Sequence, residues 1–179
     1  MPAAVDSAFE LAFWFCDRAL NDNEYLQPIK LHYLMFLAQA YYATAYQGKK
    51  LIPAIFVAEE VGPIEPSVFR AWSLGRPKFE GKNTIHEDAA AFADSVWKRF
   101  GHHSVEHLAK FCRKTPCYLS ALDRGRRAEI HLNEMITSFS KSQNAPPVDQ
   151  VVKPKIMRSH KGRAVEVKGW VPRSVKPEK

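Results

Sequence analysis

Long apolar runs are missing from this sequence. No unbroken one, Tyr33 to Ala38 included, comes near the roughly 18 residues that a membrane span needs. No basic region followed by an apolar run and a small-residue cleavage site opens the chain, so no secretion signal is expected. Cysteine is sparse. Cys16, Cys112 and Cys117 are the only three in 179 residues, an odd number at spacings that suit neither a disulfide framework nor paired zinc ligands. Reduced thiols and a cytoplasmic location are the expectation. Internal repeats are absent as well.

Excess charge is absent from most of the chain. The formal net charge is +7, yet residues 141–179 hold ten Lys/Arg against three Asp/Glu and so carry all of it. Residues 1–140 are balanced, with 16 basic and 16 acidic side chains. That balance counts against a globular nucleic-acid binder, for which a clustered basic excess is the usual footprint. A nucleic-acid-binding regulator that uses the basic tail is the alternative reading.

Hydrophobic residues make up 46% of the chain and aromatics 12%, enough to build a real core. The chain is organised around Leu26–Tyr42. Pro28 suits a first helical turn, where its missing N–H has no partner to lose. No further proline or glycine occurs until Gly48, which supplies the positive φ that commonly closes a helix. Leu31, Leu34, Met35, Ala38, Tyr41 and Tyr42 form one apolar stripe, and Tyr33, Phe36, Leu37 and Ala40 a second. A helix apolar on two sides is a buried centre. His32 and Gln39 share a face of it and need hydrogen-bond partners there.

Around that helix the pattern predicts a mainly α-helical domain over residues 1–140. Asp6 or Ser7 caps a first helix reaching about Leu20. Leu51–Ala58 reads as a short strand, with Pro53 confining it to an edge or a bend, and Glu59–Pro66 as a loop. A short helix begins at Pro66 and ends at Gly75. Further helices are expected from about Glu87 to Phe100, from a Ser104 cap to about Arg113, and after an Asn133 cap, with a short turn at Pro116. Residues 141–179, with five prolines and no sustained period, read as a flexible basic tail.

The segment Leu26–Gly75 carries a pattern. A proline precedes Lys30-Leu31, an aromatic-rich helix runs through Ala38-Gln39, and a glycine and a short strand follow. Then comes Gly62-Pro63-Ile64-x-Pro66-x-Val68-Phe69. This combination resembles the Panacea domain, the SocA-like antitoxin family of toxin–antitoxin pairs, and the likeness extends over roughly Phe9 to Phe139. The family usually has tryptophan where Glu59 stands, glutamine where His32 stands and lysine where Tyr33 stands. The resemblance implies a mainly helical, non-catalytic protein that neutralises a cognate protein toxin by direct binding. It further suggests an adaptor that delivers the toxin to a ClpX-type unfoldase.

Candidate site residues follow from both readings. Glu59, Glu60 and Glu65 form a dense group of carboxylates for a basic toxin, and complementary charge speeds association and fixes register. Glu59 and Glu60 make a poor catalytic pair, because adjacent strand residues point to opposite faces, and no other convergent titratable group is legible. Lys30 either pairs internally or touches the partner. Arg70 and Trp72 belong to the residue types enriched at interface hot spots. In the tail, Val151-Val152-Lys153 is similar to a short peptide by which an adaptor tail docks on ClpX. His103 and His107 have a metal-ligand spacing but lie either side of the expected Ser104 cap, so neither a metal nor a cofactor is expected. Gly75–Lys78 and Arg124–Arg127 read as solvated basic loops.

Overall fold

The computed structural model describes residues 2–78, 85–141, 145–152, 156–158 and 164–166. Helix α1, Ala8–Asn21, begins where the Ser7 hydroxyl accepts the Phe9 N–H at 3.1 Å. Helix α2, Pro28–Ala45, starts with its proline in the first turn. It ends where Gly48, at φ 84°, donates its N–H to the Ala43 carbonyl. Every residue from Leu31 to Tyr41 is buried, so α2 is the axis of the molecule. Helix α1 covers one flank of it, and later helices the others.

Two short strands follow, β1 (Phe56–Glu59) and β2 (Gly62–Ile64). They form a hairpin with Val57 opposite Ile64 and Glu59 opposite Gly62. The expected loop therefore contains a strand. Pro63 fits because β2 is an edge, where a missing N–H costs no ladder bond. Strand β1 also starts later than the pattern suggests. Leu51 and Ile52 reach the core from irregular chain, because both backbone N–H groups donate to the Gln39 side-chain oxygen, at 3.0 and 3.1 Å.

Helix α3, Pro66–Ala71, runs into a 3-10 turn at Trp72–Leu74 that Gly75 ends with φ 96°. Helices α4 (Glu87–Phe100) and α5 (Val105–Arg113, capped by Ser104) match expectation. Pro116 opens a full helix, α6 (Pro116–Arg124), where only a turn was expected. Strand β3, Glu129–Ile130, joins β1 to complete an antiparallel sheet of order β2-β1-β3. Helix α7, Leu132–Lys141, follows.

The expected boundary at residue 140 is corrected by helix α8, Val148–Val151. It packs on α2 and α4, and the Tyr41 hydroxyl donates to the Pro146 carbonyl at 2.9 Å. Ala145 and Val151 belong to the core. Val148, Val151 and Val152 recur at helical spacing, so this short piece has an apolar side to bury. Strands β4 (Ile156–Arg158) and β5 (Ala164–Glu166) pair antiparallel. The remaining tail, including Lys153 and residues 167–179, lies outside the described residues. Among the described residues, no helix is long and apolar enough to cross a membrane.

Candidate functional site

The sequence string that carries the family resemblance folds into one surface unit fixed to α2. Its tip is the turn between β1 and β2, Glu59-Glu60-Val61-Gly62. Two tyrosines hold that turn from behind. The Tyr33 hydroxyl, from α2, donates to the Val61 carbonyl at 2.5 Å. The Tyr118 hydroxyl, from α6, donates to the Glu59 carbonyl at 2.6 Å. Gly62 sits at φ 131°, and a Cβ there would lie 2.7 Å from Tyr33 Cε1. Glycine is needed on both counts, for its backbone freedom and for the close approach of the ring.

The C-terminal half of the string is fixed by His32. Its Nδ1 accepts the Glu65 N–H at 3.2 Å. The ring is buried, and burial lowers its pKa from 6.5 to about 4. His32 is therefore neutral at physiological pH, with its proton on Nε2, an atom that has no hydrogen-bond partner among the described residues. The half-exposed ring of Phe69 lies over it, centroids 5.7 Å apart.

The expected group of three carboxylates is not assembled. Glu65 is 4% exposed, and its side chain accepts the Val68 N–H at 2.6 Å. It is the N-cap of α3, which satisfies one of the unpaired first-turn donors. Glu59 is paired with Arg126 and Arg127, each Nε 3.3 Å from a carboxylate oxygen. The two arginines come from the turn before β3, where Arg127 adopts φ 62°. Backbone bonds between Ala58 and both Arg127 and Ala128 lock that turn to β1. Among the three, only Glu60 is exposed.

Trp72 is also not available to a partner. It is 4% exposed and packs against Phe9 and Phe13 of α1. Arg70 is exposed. Lys30 pairs internally, but with Glu24 at 4.0 Å and not with the acidic turn; burial lowers its pKa, partly offset by Glu24. Arg76, in the loop after Gly75, pairs with Asp17 at 2.5 Å and lies over the Phe13 ring. Arg124 is held by Glu134 at 2.6 Å. Among the described residues no group of three or more His, Cys, Asp or Glu converges on a metal-sized site.

Val151, expected in an exposed docking peptide, is 2% exposed, and Val152 packs against the core. The correction follows from the physics of the segment. Two adjacent valines beside a helical turn gain more from burial than from solvent.

What remains exposed on this unit is Glu60 and Val61 at the tip of the turn and Phe69 and Arg70 on α3. Val61 is 48% exposed and Phe69 46%, alongside other exposed apolar side chains such as Ile55 and Leu119. Val61 and Phe69 escaped the sequence reading. The signal for Phe69 was present, as the aromatic that ends the string, but nothing in the spacing says which side of α3 meets solvent. No protein-family model matches this chain, no characterised protein matches its sequence, and no solved structure matches it.

Proposed function

We propose that this protein is an antitoxin of the Panacea type, which binds a cognate protein toxin stoichiometrically and neutralises it without catalysis. One observation carries the reading. The Gly-Pro-x-x-Pro-x-Val-aromatic string forms a pre-organised surface unit, pinned by Tyr33, Tyr118 and His32, with Val61 and Phe69 half-exposed on it. Groups held in place before binding lower the ordering cost of association, and the polar side chains of Glu60 and Arg70 are exposed beside Val61 and Phe69 in the chain. The partner contacts are assigned to Glu60, Val61, Phe69 and Arg70. Glu59, Glu65, Trp72 and Lys30 hold the unit in place.

Delivery of the toxin to a ClpX-type unfoldase is a further step of the same proposal. With Val151 inside the core, Val151-Val152-Lys153 would dock only after α8 peels away. The alternative, a nucleic-acid-binding regulator that uses the basic tail, rests on a segment most of which lies outside the described residues.

The test is co-expression with the product of each flanking gene. One product is expected to arrest growth alone, to be tolerated with this chain, and to co-purify with it. If neither product is toxic or neither forms a complex, the reading fails.

A further inference from the structure

A second surface adjoins the first. Helix α5 packs against β2 and α2, and burial of Leu108 and Cys112 fixes which side faces inward. The opposite side carries His107, Lys110 and Lys114, all exposed. With His103 just before the cap, these residues recur at four-, three- and four-residue steps, so they form one row. Arg113 is exposed beside the row, and Arg99 at the end of α4 faces its start.

The cations of this row lack salt-bridge partners among the described residues. Several cations elsewhere are matched, Arg18 with Asp22 and Asp94, Arg76 with Asp17, Lys98 with Asp94 and Arg124 with Glu134, whereas these are gathered on one side of a helix. Arg99, Lys110, Arg113 and Lys114 form no ion pair among the described residues. The one carboxylate of α5, Glu106, is engaged by its own backbone N–H and by the Ser104 hydroxyl, which hold it below the usual carboxylate range. Nearby, Glu24 is shared between Lys30 and His102. The rings of His103 and His107 stack with centroids 4.3 Å apart. Burial first, then His107, Arg99, Lys30 and His102, pushes the His103 pKa down. The row thus gathers four exposed cations, Arg99, Lys110, Arg113 and Lys114, around one ionised carboxylate, Glu106.

We propose that the row Arg99, His103, His107, Lys110, Arg113 and Lys114 docks an acidic segment of the protein partner. This rests on the antitoxin reading and adds the chemistry of the toxin: it brings carboxylates to α5 and apolar side chains to Val61 and Phe69. A short acidic peptide fits better than a nucleic acid: the row is about 17 Å long for eleven helical steps, and two of its members are histidines that lack a bidentate grip on phosphate.

The test needs no toxin, so its failure is separable from failure of the antitoxin reading. Anisotropy of a labelled polyglutamate of about eight residues, and of a single-stranded RNA of about 20 nucleotides, is measured at low salt on the full chain. Three proteins are compared: wild type, K110E/R113E/K114E, and the control K49E/K50E, with thermal melts confirming folding. The expected result is polyglutamate binding that the triple variant weakens about tenfold or more and the control leaves within about twofold. No binding by wild type, equal weakening by both variants, or RNA bound more tightly than polyglutamate through the same lysines would overturn the proposal.

Discussion

The hydroxyl of Tyr33, on a helix whose neighbouring residues are all buried, donates to the carbonyl of Val61, a residue 48% exposed at the tip of a hairpin. The core thereby sets the position of the surface directly. Tyr33→Phe removes only that bond and is expected to cost about 1 kcal/mol. Its clearer effect is local: amide exchange of residues 60–62 accelerates while exchange in α2 does not. Urea denaturation and hydrogen exchange measure the two effects.

Gly62→Ala is expected to be worse than the loss of the hydroxyl. The new Cβ meets the Tyr33 ring at 2.7 Å on a backbone at φ 131°, and either the ring or the turn must move. A loss of roughly 2 kcal/mol or more follows, read as a lower urea midpoint with unchanged slope.

His32 makes stability depend on pH. Its pKa is about 4 folded and 6.5 in the open chain. Between those values the unfolded chain binds more protons, so stability rises with pH. The contribution is complete above pH 6.5 and is lost on acidification towards pH 4, amounting to about 3 kcal/mol. Protonation would also replace the Nδ1 acceptor of the Glu65 N–H with a donor. In His32→Gln that part of the slope disappears, as urea titrations at pH 4.5 and 7 would show.

A chain ending at Ser140 loses the bond from Tyr41 to Pro146 and the burial of Ala145 and Val151. It is expected to be about 3 kcal/mol less stable than the full chain. A chain ending at Val152 keeps these contacts and most of the stability. Thermal melts of the three proteins decide the matter.

The central helix was legible because local chemistry marks it. Pro28 and Gly48 bound it, and its two apolar stripes allow only burial. The Ser7 and Ser104 caps were legible for the same reason. Glu65 was misread, although Pro66 behind it marks a helix start: a glutamate is an uncommon cap, and its burial depends on His32, 33 residues earlier in the chain. Four-residue α8 is too short to display a period, so Val151 looked like part of a tail. The bonds of Tyr33 and Tyr118 to the turn join residues 28 and 59 positions apart. Only the folded arrangement brings such pairs together.

The central claim is that a protein partner binds the surface around Val61 and Phe69. The most direct measurement is the affinity of the toxic flanking-gene product for wild type and for Val61→Asp/Phe69→Asp. Both side chains are half-exposed, so the variant should melt near the wild-type temperature. The account predicts a complex with wild type and a loss of at least about tenfold in affinity in the variant, about 1.4 kcal/mol. Equal affinity in a folded variant would contradict it.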